Sequence, residues 1–530
     1  MTSLRLFLGG VIRTMDPARP VAGALAVRDG RIVAVGPSED VLRLRTGDAV
    51  VVDLAGRTLI PGFVDPHTHF SAGALEGFWA DCRTPPLGTI AEIQAVLRAA
   101  AAAAPAGEWV RGWGYRDGSL AGRRPPTRHD LDEAVPDRPA LLLHFSHHQG
   151  VANSRALAAA GITRATPDPP GGEIARDKSG EPTGLLFERA MSAVERASRE
   201  GWERRFAEVA AAACRRFAAA GLTTVQDAAV GPAMERRYRE AAEAGALLIR
   251  VERMAVSPAG WFEPPWDRVR EAGESGWLKL FVDGGYRCAM RLPRDGREVT
   301  SGFLFYRREE LAELLVTAWR AGWRGVTCHA IGNLGVETCV GAIEDALRRE
   351  PAGAGRVRLD HGMFLSDDVI RRIAALGIRV VGQPSFVYDL GPGPAVAGLR
   401  VRAFGTLRAA GVPQAFSSDF PCGTLAPLVG IYAAATRRAR SGEAGDPEEA
   451  VPVAAALQAY TLDAARAAGL EGECGSLEAG KRADLVVLSG DPLATPPESL
   501  PELRVVATWV AGRPVYTEPA GSSRGQEGTP

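Results

Sequence analysis

Residues 61 to 70 read PGFVDPHTHF and place two of the chain's eight histidines two positions apart, behind an apolar run and a proline. In a strand, residues i and i+2 project from the same face, so His67 and His69 present two imidazoles side by side at the strand's end. Such a pair suits one metal ion. For so short a motif the alternative is a strand end whose histidines cap backbone groups. Three further residues of metal-ligand type stand in matching places. His329 in GVTCHAIGN, His361 in RVRLDHGMF and Asp419 in VPQAFSSDFPCG each close an apolar β run where a turn or helix begins. In a parallel barrel the carboxyl ends of different strands converge on one face, so ligands far apart in sequence can meet.

Lys279 lies in GWLKLFVDGG, where alternation puts Lys279, Phe281 and Asp283 on one face and Leu278, Leu280 and Val282 on the other. Both faces of a parallel-barrel strand are buried, so the lysine enters the interior. Burial lowers an ammonium's pKa and makes the neutral amine available. Reaction with carbon dioxide then gives a carbamate, an anionic ligand able to bridge two metals. The alternative pairs Lys279 with Asp283 or extends it to the barrel rim.

The elements needed to position these groups are legible in the pattern. Residues 1–60 carry short strand-like runs broken by Gly, Pro and Asp-Gly, the mark of a small antiparallel β unit. From 61 to 469, apolar strand runs alternate with Ala-, Arg- and Glu-rich helical stretches, which implies parallel β with crossover helices. Short β runs return over 470–517, a plausible partner for the β unit at the start. The Pro- and Gly-rich passage over about 85–200 fits no simple strand–helix unit and reads as an insertion on the barrel. Residues 518–530 lack apolar periodicity and read as a disordered tail.

Composition narrows the function. At 530 residues the chain exceeds the usual single core, so one large domain with attachments, or two to three domains, is expected. With 62 Lys plus Arg against 63 Asp plus Glu, the net charge of −1 makes no electrostatic case for nucleic acid or an anionic membrane surface. A small molecule is the expected partner. Seven cysteines without a C-x-x-C pair read as reduced thiols of a cytoplasmic protein, and no run approaches the roughly 20 apolar residues of a membrane span.

Taken together, these motifs resemble the amidohydrolase superfamily and, within it, the YtcJ-like amidohydrolases, a group that includes N-substituted formamide deformylases. The resemblance runs through ALAVRDGRIVAVGP, LIPGFVDPHTHF, HHQGVANSRALAAAGIT, PGGEIARDKSGEPTGLLFE, LKLFVDGG, CHAIGNLGV, RLDHGMF, QPSF, SSDFP and GSLEAGKRADLVVL, nearly the whole chain. It implies an α/β fold, a distorted TIM (β/α)8 barrel with a small composite β-sandwich built from both chain ends. It also implies metal ligation by His67 and His69 from the first barrel strand, carboxylated Lys279 from the fourth, His329 and His361 from the fifth and sixth, and Asp419 from the eighth.

His148 is implied as a substrate-side group, with His144 and His147 as neighbouring alternatives. Two departures stand out. Asn333 occupies a position where the family commonly has Asp, and DGGYRCAMRLP after the lysine differs from the usual loop.

From these ligands follows hydrolysis of a C–N amide-type bond, in an N-acyl, N-formyl or cyclic amide, by water activated on two divalent ions. Zinc suits imidazole and carboxylate donors, and a single ion is the alternative. Asp419 accepts the water's proton and returns it to the leaving nitrogen. Trp113 and Tyr115 in VRGWGYRDG are candidate apolar pocket walls, or else ordinary core residues. Deamination at a ring C=N bond would normally lack the bridging lysine. Ester or lactone hydrolysis could use the same metals. A non-catalytic scaffold would be expected to have lost ligands, and all six are present. A homodimer is the expected assembly.

Overall fold

The computed structural model describes residues 4–105, 107–257, 269, 276–285, 287–294 and 297–519. Within it, eight parallel strands form one sheet in the chain order Phe63–Thr68, Leu222–Val230, Arg250–Ala255, Trp277–Phe281, Gly325–Ala330, Val357–His361, Arg379–Gly382 and Gln414–Phe416. These are the first to eighth barrel strands. The helices between them, among them Phe206–Ala219, Pro232–Glu243, Arg308–Arg320, Asn333–Arg349 and Asp367–Ala375, cover the sheet's outer face. Their starts are set locally: Pro232 occupies the first turn of its helix, and the Ser366 hydroxyl accepts from the Val369 N–H. Two large apolar clusters lie between strands and helices. One is built around Leu280, Val326, Leu359 and Ile343, the other around Phe63, Phe217, Val225 and Ile431.

The two chain ends fold together. A four-stranded sheet (Arg31–Gly36, Ala24–Arg28, Arg5–Leu8, Val50–Asp53) faces a six-stranded one (Arg513–Thr517, Val505–Val510, Leu485–Leu488, Thr58–Pro61, Val11–Arg13, Val21–Ala22). Leu485–Leu488 pairs antiparallel with Thr58–Pro61, so the sandwich exists only when both ends are present. Phe7, Ile12, Leu25, Leu59, Leu485 and Val487 fill its core. Strand Arg513–Thr517 ends this unit, and residues 520–530 of the expected tail lie outside the described residues.

Between the first and second barrel strands the chain builds a sheet of its own, ordered Gly172–Arg176, Pro182–Glu188, Gln149–Ala152, Ala140–His144, Val110–Tyr115, Ala80–Asp81. Apolar clusters cover both of its faces. All seven cysteines are free thiols. No helix among the described residues is long and apolar enough to cross a membrane.

Candidate metal centre

The first and eighth strands stand at opposite ends of the ladder, and backbone bonds beyond their tips bring them together. The Asp419 N–H donates to the His67 carbonyl at 3.0 Å, and the His69 N–H to the Phe420 carbonyl at 2.7 Å. Behind them, Asp65 accepts from the Ser418 hydroxyl at 2.5 Å and the Ser418 N–H at 3.1 Å. Asp419 is thereby set against the histidine pair, its Oδ1 3.2 Å from His67 Nε2 and 3.3 Å from His69 Nε2.

His361 arrives from the sixth strand by a break in alternation. Arg358 and Asp360 of that strand point into the barrel, so strict alternation would send His361 outward. Its backbone takes φ +75°, and its ring lies 4.8 Å from that of His67, with Nδ1 4.0 Å from Asp419 Oδ2. Asp419 is likewise left-handed at φ +52°. Such non-glycine residues cost of order 1–3 kcal/mol each and persist only where their surroundings over-determine them. The His329 ring meets that of His361 edge-on, with centroids 4.5 Å apart.

His67, His361 and Asp419 each offer a ligand atom, all within 4.8 Å of one another. Among the described residues, Nε2 of His329, Nε2 of His361 and Oδ1 of Asp419 are buried without a hydrogen-bond partner. Asp419 Oδ1 is held instead in close ion-pair contacts with His67 and His69. Buried polar atoms in this state are costly unless a cation completes them, so the donor set fits a divalent metal. Electrostatics agree. Burial holds His69 down at about 4 and His361 at about 3, and burial with neighbouring imidazoles holds His329 well below the usual range. Burial alone would raise Asp419, but His67, His69 and His361 outweigh it and keep the carboxylate ionised. At neutral pH His69, His329, His361 and Asp419 present lone pairs, whereas for His67 burial and Lys279 are outweighed by Asp360 and Asp419, which raise it.

Asp360 organises the floor of the site, and sequence reasoning missed it. Its Oδ2 accepts from His67 Nδ1 at 2.6 Å, Lys279 Nζ at 3.1 Å and the Thr327 hydroxyl at 2.5 Å, while Oδ1 accepts from Arg358 Nε at 3.0 Å. With Nδ1 engaged, His67 turns Nε2 toward Asp419, the orienting role that carboxylates play behind metal-bound imidazoles. Lys279 is fully buried and paired with Asp360, not with Asp283 and not at the rim. Burial pulls its pKa down against the opposing pull of Asp360. Asp283 instead accepts the N–H groups of Ile331, Gly332 and Ala289, tying the loops after the fourth and fifth strands. Gln383 is a second missed residue. Its Oε1 accepts from His361 Nδ1 at 2.8 Å and leaves Nε2 as that ring's remaining donor atom. The position of Asp360 beside His361 was visible in RVRLDHGMF, but nothing marked it as inward-facing.

The insertion contributes one histidine to this cluster. The His148 ring lies 5.3 Å from that of His329 and 6.2 Å from Phe281, and its Nδ1 is 2.6 Å from Glu188 Oε2. His147 points to Glu76, at 3.0 Å, and His144 packs beside Tyr115 and Phe145. Tyr115 is fully buried in the insertion's own core. Trp113 sits on the insertion's opposite face against Leu141, Leu143 and Ile174, under the Arg83 guanidinium. Asn333 lies on the helix after the fifth strand. It donates to the Arg291 carbonyl and accepts from the Arg291 N–H, both at 2.8 Å, which an aspartate could not do.

Comparison with known proteins finds relatives over nearly the whole chain. Residues 50–516 match the model of the amidohydrolase family, and residues 23–44 match an imidazolonepropionase-like composite domain of bacteria. The chain is 35% identical to the N-substituted formamide deformylase of Arthrobacter pascens, over 97% of this chain and 98% of that one. It is 31% identical to YtcJ of Bacillus subtilis (strain 168), over 96% and 98%. A crystal structure of an uncharacterized metal-dependent hydrolase from Pyrococcus furiosus superposes with a TM-score of 0.71 at 26% identity, covering 92% of this chain and all of that one.

Proposed function

The chain belongs to the amidohydrolase family, and on that premise we propose that it hydrolyses a C–N amide-type bond in a small N-formyl, N-acyl or cyclic amide. The observation that carries the reading is the convergence of His67, His361 and Asp419, with three buried ligand atoms that have no hydrogen-bond partner among the described residues, at one barrel end. In this reading His67, His69, His329, His361 and Asp419 hold divalent metal, zinc by the imidazole and carboxylate donors. Lys279, once carboxylated, would add an anionic oxygen ligand to that set. Its burial and lowered pKa support that modification. A bound divalent cation supplies Lewis acidity, activating water near neutral pH and drawing electron density from a carbonyl.

The chain's own residues do the rest. Asp419, ionised beside His67 and His69, accepts the proton of the attacking water at a carboxylate oxygen and delivers it to the departing nitrogen. Asp360 holds His67 in the tautomer that directs Nε2 to the site. His148, across from His329, contacts the substrate. Such an enzyme acts in the cytoplasm, and a homodimer is its expected assembly.

The test is metal analysis of the purified protein alongside a screen of N-formyl, N-acyl and cyclic amides, reading amine release. Bound zinc with turnover of at least one class is the expected result. Protein free of metal and inactive on every class would overturn the reading.

A further inference from the structure

Glu188 combines three properties that ordinary packing does not explain. It is a fully buried carboxylate, it lies at the end of strand Pro182–Glu188, and its backbone takes φ +49° and ψ −122°, a conformation that favours glycine. Cross-strand pairing fixes its neighbour, for the Glu188 N–H donates to the His148 carbonyl at 2.9 Å, next to the pair Gln149 and Phe187. The side chains then meet, Oε2 lying 2.6 Å from His148 Nδ1. The Gly285 N–H is shared between the other oxygen, Oε1, at 3.1 Å and His148 Nδ1 at 3.0 Å. Nδ1 has one in-plane position and either donates to Glu188 or accepts from Gly285, and the shorter contact to a carboxylate favours donation.

The loop after the fourth barrel strand is shaped to this pair. A Cβ at Gly284 would fall 2.6 Å from Glu188 Oε1, and one at Gly285 would fall 2.3 to 2.5 Å from three atoms of the His148 ring. Two consecutive glycines let the lysine strand's loop lie flush on a carboxylate and imidazole that belong to the insertion. The same imidazole stands 5.3 Å, ring to ring, from His329.

We propose that Glu188 is a positioning residue: its carboxylate holds His148 as the Nδ1–H tautomer, so that Nε2 is the nitrogen that meets the substrate. This rests on the reading of His148 as a substrate contact in an amide hydrolase. Among the described residues, a glutamate offers two acceptors to two donors, His148 Nδ1–H and Gly285 N–H. A glutamine offers one oxygen and one NH2, so one of the two donors must face an NH2 group. Glu188→Gln thus keeps the shape and loses the hold on the tautomer.

The experiment is a double-substitution cycle on the metal-loaded enzyme with Glu188→Gln, His148→Ala and both together. Glu188→Gln is expected to lower kcat by ~10²-fold or more with KM, metal content and Tm near those of the parent. The double variant should be no slower than His148→Ala alone, and Glu188→Asp, which keeps the carboxylate, should recover part of the loss. If Glu188→Gln does not fold, the cycle is run with Glu188→Asp. Additive losses, an unchanged kcat, or losses that track metal content overturn the inference.

Nitrogen-15 NMR of histidine-labelled protein reads the tautomer without substrate, with His148 assigned by its disappearance in His148→Ala. A protonated Nδ1 in the parent that changes in Glu188→Gln supports the positioning role. The same signal in both refutes it, even if no tested amide is hydrolysed and the proposed reaction itself has failed.

Discussion

In the barrel, His67, Lys279, Thr327 and Asp360 occupy strand positions whose neighbours are set by ladder register, with Lys279 opposite Thr327 and His329 opposite Asp360. In the insertion, His144, His147 and His148 crowd the connection between two antiparallel strands and go three separate ways, to an aromatic core, to Glu76 and to Glu188. Register makes a barrel ligand's surroundings nearly automatic, because each strand end meets the next at the same level. A histidine in a turn has no such rule, and its partner is whatever the fold brings to it. The barrel's polar residues should therefore control metal and chemistry, and the insertion's should control positioning and local stability.

The sharpest break in that contrast comes from removing the metal or its strand-end pair. Exhaustive chelation, or His67→Ala, should reduce hydrolysis to background with parallel loss of metal, and readdition of zinc should restore only the chelated parent. Normal metal content in His67→Ala would return the pair to a capping role. Next is Asp419→Asn, nearly isosteric and still able to reach a cation through its carbonyl oxygen. It should keep most of its metal while kcat and kcat/KM fall together by at least ~10²-fold. Near-parental turnover would remove Asp419 as the base.

Lys279→Ala should lose metal toward one ion per chain, with partial rescue by short carboxylic acids. A variant retaining two ions and full rate would make Lys279 a partner of Asp360 alone. Asp360→Asn tests the floor of the site. By analogy with carboxylates behind metal-bound histidines it should weaken metal affinity or activity by roughly 10- to 100-fold, and an unchanged metal titration would refute the orienting role.

The smallest effect belongs to the insertion. Thr127 caps the helix Arg128–Ala134, and Asp130 completes the box by accepting from the Thr127 N–H. Burial would raise the Asp130 carboxyl, but hydrogen bonds from Arg124 and Thr127 prevail and bring it to about 2 from 3.8. A carboxyl lowered on folding stabilises fully above its ordinary value and loses that contribution as pH falls through the folded one. Thr127→Ala should cost about 1 kcal/mol near neutral pH by denaturant unfolding. The cost should shrink between pH 4 and 2, while kcat stays unchanged. Loss of activity without loss of stability would show that the insertion's caps reach the site.

By itself the sequence determined the alternation of strand and helix, the pairing of two chain-end β units, and the ligand-type residues at strand ends. Each is written in local periodicity, and His67 and His69 needed only the two-residue repeat of a strand to be seen as a pair. It could not show that Asp360 faces inward while His361 reaches the same space, since that depends on one left-handed backbone angle at the strand's end. Nor could it separate the surroundings of His148 from those of His144 and His147, because neighbouring histidines at one strand connection look alike until Glu188 and Glu76 arrive from other segments. Local pattern fixes what a residue can do. Which residues do it together is decided by contacts between elements tens to hundreds of positions apart, and at the metal centre those are made only when the barrel closes through Asp419 and His67.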